Sequence, residues 1–399
     1  MKINVRNLIF DSILILYIIY LIAPIVEFFI PSYVRLFCLA VIWIHMILNK
    51  GLNHMVNLLI KIIPLYLIVF FHIILLVINR PEWVVGKIYE VIHLMTISVS
   101  YIYMSSQNIK RIRHVFTAVA VSIIITCITT YFGNIIFPGA SRISATGWAQ
   151  SSDLRLFSRY NIGGFDFTYT LVLLMPFVIY AFRTKIFNRM LTLSFIILSV
   201  MTVLKTEYTT ALLFIFASFG LFLIPPKANP KTMFFICMLL CGAIFISSFA
   251  VADILHSLSS NIESSAVSTR LNDIAAVMSG QETSVDSDLD GRVSLWTKSW
   301  RIFLNHPFTG SWSMTDGHHS YIIDTLARYG LIGMVALIYF LTCLYKIYIR
   351  PYRAYKVFNY LLFYFFIYIF QIFLNPQPYY MAISFIIPIM VHNFVYNER

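Results

Sequence analysis

Runs of about 20 apolar residues recur along this chain from Leu8 to Val395, and no other feature limits its fold as strongly. One such run covers the hydrocarbon core of a bilayer as a single α-helix, and inside lipid only helices and closed barrels satisfy their own backbone polar groups. Reading with that window predicts about twelve spans, starting near Leu8, Tyr33, Asn57, Trp83, Val115, Asp166, Met190, Thr209, Thr232, Tyr321, Val357 and Tyr379. With 59% apolar and 12% charged residues, the composition excludes an ordinary soluble enzyme, a disordered chain and a disulfide scaffold. The run from Leu8 to Phe29 is too long for a signal h-region and no small-residue cleavage site follows it, so it reads as the first span. The cysteines Cys38, Cys127, Cys237, Cys241 and Cys343 all lie in apolar runs and read as buried small hydrophobes. The expected fold is therefore an all-α polytopic integral membrane protein.

Of the 29 Lys and Arg, 16 fall on segments that share one face of the predicted bilayer, among them Lys110, Arg111 and Arg113 and the stretch Lys346 to Lys356. Ten fall on the opposite loops. Excess basic residues mark the cytoplasmic side, so both termini are expected inside. The net charge of +12 then reports orientation in a membrane, not nucleic-acid binding.

This layout divides the chain into spans 1–5 over residues 1–137, a first long external loop over 138–164, and spans 6–9 over 165–252. A large external loop over 253–320 precedes spans 10–12 over 321–399. Loops longer than about 12–15 residues are usually functional or disordered. The second contains Trp296, Trp300, Phe303 and Trp312, which a solvated linker would avoid, so the chemistry is expected on the outer face.

Within that loop, Asp290 is placed to cap a helix that Pro307 must end. At 100° per residue Val293, Trp296, Trp300, Phe303 and Leu304 form one apolar stripe, with Arg292 on its edge and Lys298 and Arg301 on the far face. An interfacial helix anchored by tryptophan gives the same pattern. His318 and His319 then lead into a span, where the helix N-terminus favours a neutral imidazole able to accept a proton; capping of the span is the plainer role. Asp324 and Arg328 stand at i, i+4, most simply as an ion pair. Lys87, Glu90 and His93 share a face near the outer end of the fourth span, where Lys87 and Glu90 can pair.

Asp286, Asp288, Asp290, Gly291 and Val293 match five positions of a calcium-binding EF-hand loop, but Thr297 replaces the bidentate Glu. A full EF-hand is excluded. A reduced calcium site and an acidic turn with a helix cap remain as readings, the second preferred.

Together, Gly291-Arg292, Trp296, His306-Pro307 with Gly310, His319-Ser320 and the run Leu326 to Gly333 resemble the conserved loop of the O-antigen polymerase and ligase superfamily. The resemblance covers Asp290 to Gly333 directly, and the layout of spans with one large late external loop extends it. It implies a GT-C-like membrane glycosyltransferase working on glycans carried by undecaprenyl pyrophosphate at the outer face of the plasma membrane. No cofactor is implied. Wzy-type polymerases move the growing glycan to a new lipid-linked repeat unit, and ligases move it to another acceptor. A chain-length regulator and a flippase are the implied protein partners.

The resemblance assigns Arg292 and His319 to catalysis, the first toward the leaving pyrophosphate and the second as base or acceptor-orienting group. Arginine suits the pyrophosphate because its planar fork pairs bidentately with phosphate oxygens. Arg159, before a Gly163-Gly164 turn, resembles a further family arginine, and Arg155, Arg142 and Arg270 are pyrophosphate candidates by location. A solvated basic loop or headgroup binding is the alternative for Arg142, Arg155 and Arg159, with the functional reading preferred for Arg159. His318 and Lys205 are weaker candidates. A flippase or transporter for the lipid-linked oligosaccharide is the competing class. It is disfavoured by the large loop and by the absence of paired Gly/Pro-interrupted spans.

Overall fold

The computed structural model describes residues 5–106, 109–146, 151–222, 288–314 and 320–397, and every regular element among them is helical. In chain order these are α1 (Val5–Ile22), α2 (Pro24–Phe29), α3 (Ser32–Lys50), α4 (Leu52–Ile62), α5 (Leu67–Asn79), α6 (Val84–Ser105), α7 (Ile109–Ile136) and α8 (Ala140–Thr146). There follow α9 (Ser151–Arg159), α10 (Phe165–Thr184), α11 (Arg189–Lys205), α12 (Thr209–Phe219), α13 (Asp288–Asn305), α14 (Tyr321–Leu344), α15 (Phe358–Leu374) and α16 (Ile387–Asn397). Helices stand at eleven of the twelve predicted span positions; the remaining one, near Thr232, lies outside the described residues.

Five of these helical stretches are long and apolar enough to cross a membrane: Ser32–Lys50, Leu52–Asn79, Lys110–Ile136, Phe165–Thr184 and Tyr321–Tyr352. Others are apolar but shorter, and the interruptions have local causes. The run predicted from Leu8 to Phe29 divides because Pro24 has no N–H for a continuing helix and takes the first position of α2 instead. Pro64 likewise sets a 3₁₀ turn, Ile63–Tyr66, between α4 and α5.

The described chain forms two compact units. The first comprises Met1–Ile73, Glu82–Thr206 and Tyr379–Arg399. Its most enclosed element is α10, in which fourteen residues are buried, Phe167 to Tyr169 and Leu171 to Ala181. Hydrogen bonds between helices supplement packing where lipid offers no partner. Trp43 Nε1 donates to Thr96 Oγ1 at 2.9 Å, joining α3 to α6, and Cys127 and Thr202 join α7 to α11 at 3.2 Å.

Arg111, which the sequence counts among the basic residues of one bilayer face, is buried. Its Nε and Nη2 hold both oxygens of Asp11 at 2.7–3.1 Å, and its guanidinium lies over the Phe10 ring. Either charge alone would be costly there, which explains why an acid sits in the first apolar run. Lys87 and Glu90 pair at 2.8 Å as expected. His93 has a different environment: it shares a hydrogen bond with Tyr17 and meets the edge of Tyr89. Tyr89 in turn accepts from Arg35 Nε at 3.2 Å.

The second unit comprises Ile74–Pro81 and Glu207–Pro378. Its centre is α13 packed on α14, with Trp296 against Phe373 of α15 and Tyr321 N–H donating to Asn375 O at 3.0 Å. α14 is not one continuous helix. Gly330, at φ 61° and ψ −151°, breaks it.

Candidate functional site

Candidate residues occur in both units. In the first unit, the predicted loop over 138–164 contains the two short helices α8 and α9, which is more order than a loop reading gives. Arg155 and Arg159 stand one turn apart on α9, both exposed, while Arg142 on α8 is half-buried. The turn after Arg159 is fixed from below by α7. Asn161 adopts φ 54°, a left-handed conformation that asparagine tolerates, and donates through Nδ2 to Thr129 Oγ1 at 3.0 Å. Gly163 N–H donates to Thr130 Oγ1 at 2.8 Å, and Ser141 Oγ donates to Gly163 O at 2.6 Å. Asn134 completes the set, donating to Ser141 Oγ at 2.8 Å and accepting from Ser141 N–H at 3.1 Å.

None of these polar anchors stands out as a site candidate in the sequence. Thr126, Thr129, Thr130 and Asn134 follow helical spacing inside an apolar span, and that interruption is the signal the sequence offers. Lys205 is the last residue of α11 and is exposed.

In the second unit, α13 begins at Asp288, two residues before the predicted cap, and ends at Asn305, two residues before Pro307. Asp288 and Asp290 therefore both belong to its first turn. The side chains of Asp288 and Asp290 lie outside what is described. Asp286 lies outside the described residues, and among the described residues no cluster of His, Cys, Asp or Glu is arranged to hold a metal.

The predicted apolar stripe divides. Trp296 and Phe303 turn toward the protein, but so does Ser299, which is wholly buried, whereas Trp300 and Leu304 are 47% and 59% exposed. Hydrophobic periodicity treats Ser299 as polar and so places the buried face one step too far round the helix. The reason lies in its partner: Ser299 Oγ donates to Asp324 Oδ1 at 2.8 Å, and the other oxygen of that carboxylate accepts from Ser320 N–H at 3.0 Å. Ser320 Oγ in turn accepts from Ile323 N–H and caps α14. Asp324 thus ties α13 to Ser320, the residue that caps α14.

Removing that carboxylate leaves two buried donors to find other acceptors. Asp324→Ala is expected to destabilise the protein by about 2–3 kcal/mol. Asp324→Asn, which still accepts from Ser320 and can turn its amide toward Ser299 Oγ, should cost less than about 1 kcal/mol. Thermal unfolding of the detergent-purified variants checks both.

The stretch His306 to Trp312 explains the broken helix. At the break, the N–H groups of Leu331 and Ile332 and the carbonyls of Ala327 and Arg328 lose their usual i, i+4 partners. All four are paired by this loop. Leu331 N–H donates to Pro307 O at 2.8 Å and Ile332 N–H to Phe308 O at 3.3 Å, while Ser311 and Trp312 N–H donate to Ala327 O and Arg328 O, each at 3.0 Å. The approach is close enough that a Cβ on Gly310 would lie 2.2 Å from Arg328 O, and one on Gly330 would lie 2.5 Å from Phe308 O. Asn79 Nδ2 holds the far end of the loop by donating to Trp312 O at 2.9 Å.

The motif glycines thus have a structural task that their spacing does not reveal. Arg292 lies in the helical backbone of α13, seven residues ahead of Ser299; its side chain, together with Arg270, His318 and His319, lies outside what is described.

Residues 193–311 match the family model described as O-antigen ligase. The match begins in α11 and ends within the loop that fills the break in α14. No curated protein matches the chain.

Proposed function

We propose, from the match of residues 193–311 to the family model described as O-antigen ligase, that this membrane chain is a glycan-transfer enzyme of the O-antigen polymerase and ligase superfamily and polymerises lipid-linked oligosaccharide repeat units. In this reading the growing glycan leaves its undecaprenyl pyrophosphate carrier and joins a hydroxyl of an incoming repeat unit at the outer face of the plasma membrane, with both termini cytoplasmic. The bond from the anomeric carbon to the pyrophosphate oxygen breaks, and a bond from that carbon to the acceptor oxygen forms. The hydroxyl proton passes to His319, and the carrier departs as its pyrophosphate. Arg292, with Arg159, Arg155, Arg142 and Arg270 as further candidates, neutralises the charge gathering on the leaving group. His318 and Lys205 are secondary candidates. A chain-length regulator and a flippase are the proposed partners.

The family match is the observation that carries this reading, and the description it bears favours a second one, transfer of a finished glycan to a different acceptor. Reconstitution of the purified protein in liposomes with a lipid-linked repeat unit separates them. A polymerase yields a ladder of lipid-linked products from that substrate alone. A ligase yields transfer only when a second acceptor is supplied. Movement of the substrate between leaflets without a new glycosidic bond would overturn both in favour of transport.

A further inference from the structure

We propose that the C-terminal half of α13 and the loop after it are inserted into the membrane surface, with Trp300, Leu304 and Phe308 seated at the boundary between lipid headgroups and acyl chains. This goes beyond glycan transfer and does not depend on it. Three observations lead there.

The first is the division of α13 into three sectors. Leu295, Trp296, Ser299, Ile302 and Phe303 occupy the side turned to the protein. Beside them lies an exposed apolar flank, Trp300 and Leu304, which Phe308 extends at 71% exposure. The remaining sector, Ser294, Thr297, Lys298, Arg301 and Asn305, is exposed and polar. A helix in water needs two sectors, protein and solvent. A helix at a bilayer surface needs three.

The second is depth. The helical stretch Tyr321–Tyr352 has 32 residues, about 48 Å at 1.5 Å per residue, and exceeds the roughly 30 Å hydrocarbon core. The part after the Gly330 break, about 22 residues, is the length that fits. Its exposed face, Leu331, Val335, Ile338 and Tyr339, has the spacing of a lipid-facing stripe. Pro307 O and Phe308 O accept from Leu331 and Ile332, so Phe308 adjoins the first turn of that stripe. Phe308, the next exposed large apolar residue after Trp300 and Leu304, thus leads from that flank to the stripe of the span. Ser299, bonded to Asp324, is anchored about one to two turns farther out.

The third is charge. After Asp290 the helix carries no acid, while Lys298 and Arg301 are exposed next to the apolar flank, where anionic headgroups would meet them. The occupant this surface fits is a lipid bilayer carrying anionic headgroups.

The test uses the full chain in nanodiscs of mixed zwitterionic and anionic phospholipid, with the native cysteines replaced. Nitroxide labels at Phe308→Cys, Leu304→Cys, Trp300→Cys and Thr297→Cys are compared for accessibility to oxygen and to a nickel chelate. The expected order of increasing nickel over oxygen accessibility is Phe308, Leu304, Trp300, Thr297. Nickel accessibility at Phe308 and Leu304 equal to that at Thr297 would place the flank in water and overturn the proposal. Exclusion of both reagents at the first three would show a protein partner there and overturn it too. A measurement without labels guards against misfolded variants: brominated lipids should quench a smaller share of tryptophan emission in Trp300→Phe than in the wild type. An unchanged quenched share counts against insertion.

Discussion

Alanine at Gly330 or Gly310 is expected to destabilise the protein by about 3 kcal/mol or more, through the conformation lost and the hydrogen bonds disrupted. Both glycines have positive φ, 61° and 73°, which a side chain resists, and at both the new Cβ would collide with backbone atoms that cannot rotate away. Relief requires the loop to withdraw from the helix. Withdrawal breaks the four hydrogen bonds between Pro307–Trp312 and the ends of the broken α14. An unwound segment at membrane depth is tolerated only while such groups are satisfied within the protein. The apparent Tm in detergent should fall by roughly 5–10 °C, and yield of monodisperse protein should fall with it. Gly86 supplies the internal control. It lies in α6, where an added Cβ would meet nothing within 4 Å, so Gly86→Ala should leave stability unchanged or raise it by up to about 1 kcal/mol. Equal effects at all three positions would show that the loop does not clamp the helix.

How much of this is legible in the sequence depends on which physical signal carries it. The helical class and the positions of the long apolar helices follow from runs of apolar residues, because a bilayer-length helix leaves a mark about 20 residues long. The breaks inside those runs are less visible. Pro24 and Pro64 announce themselves, but the interruption at Gly330 depends on a partner loop eighteen or more residues away, which no local window detects. The orientation of α13 is misread for a related reason: hydrophobic periodicity assigns Ser299 to the solvent side, whereas Asp324 makes it the centre of the buried face. Arg111 is hidden by the charges around it, since with Lys110 and Arg113 it counts among the basic residues of one bilayer face. In the motif residues, sequence resemblance leaves individual tasks unsorted. His306-Pro307, Gly310, Gly330 and Gly333 lie at or beside the interlock of loop and broken helix, which leaves Arg292 and His319 as the residues of that pattern whose chemistry suits transfer.

Transfer of a lipid-linked glycan by Arg292→Ala should therefore be slower than wild type by about 10²–10³-fold, the size of effect seen when one stabilising donor is removed from a developing anion. The proposed role predicts which constant changes. A guanidinium that meets the pyrophosphate should also bind the released carrier, so the variant should lose inhibition by undecaprenyl pyrophosphate. Arg292→Lys keeps the charge and loses the planar fork, and should recover only part of the rate. His319→Ala should cost about 10²–10⁴-fold, the range for loss of a general base, with carrier inhibition intact. Its distinguishing mark is the pH profile. A base works only when neutral, so the wild-type rate should rise with pH through the histidine's titration, and that rise should be absent in His319→Ala. His318→Ala should retain both the rate and the rise, since the resemblance aligns the family histidine with its neighbour. Wild-type transfer in both Arg292→Ala and His319→Ala would move the chemistry elsewhere in the chain, and the exposed pair Arg155 and Arg159 on α9 would be the next residues to change.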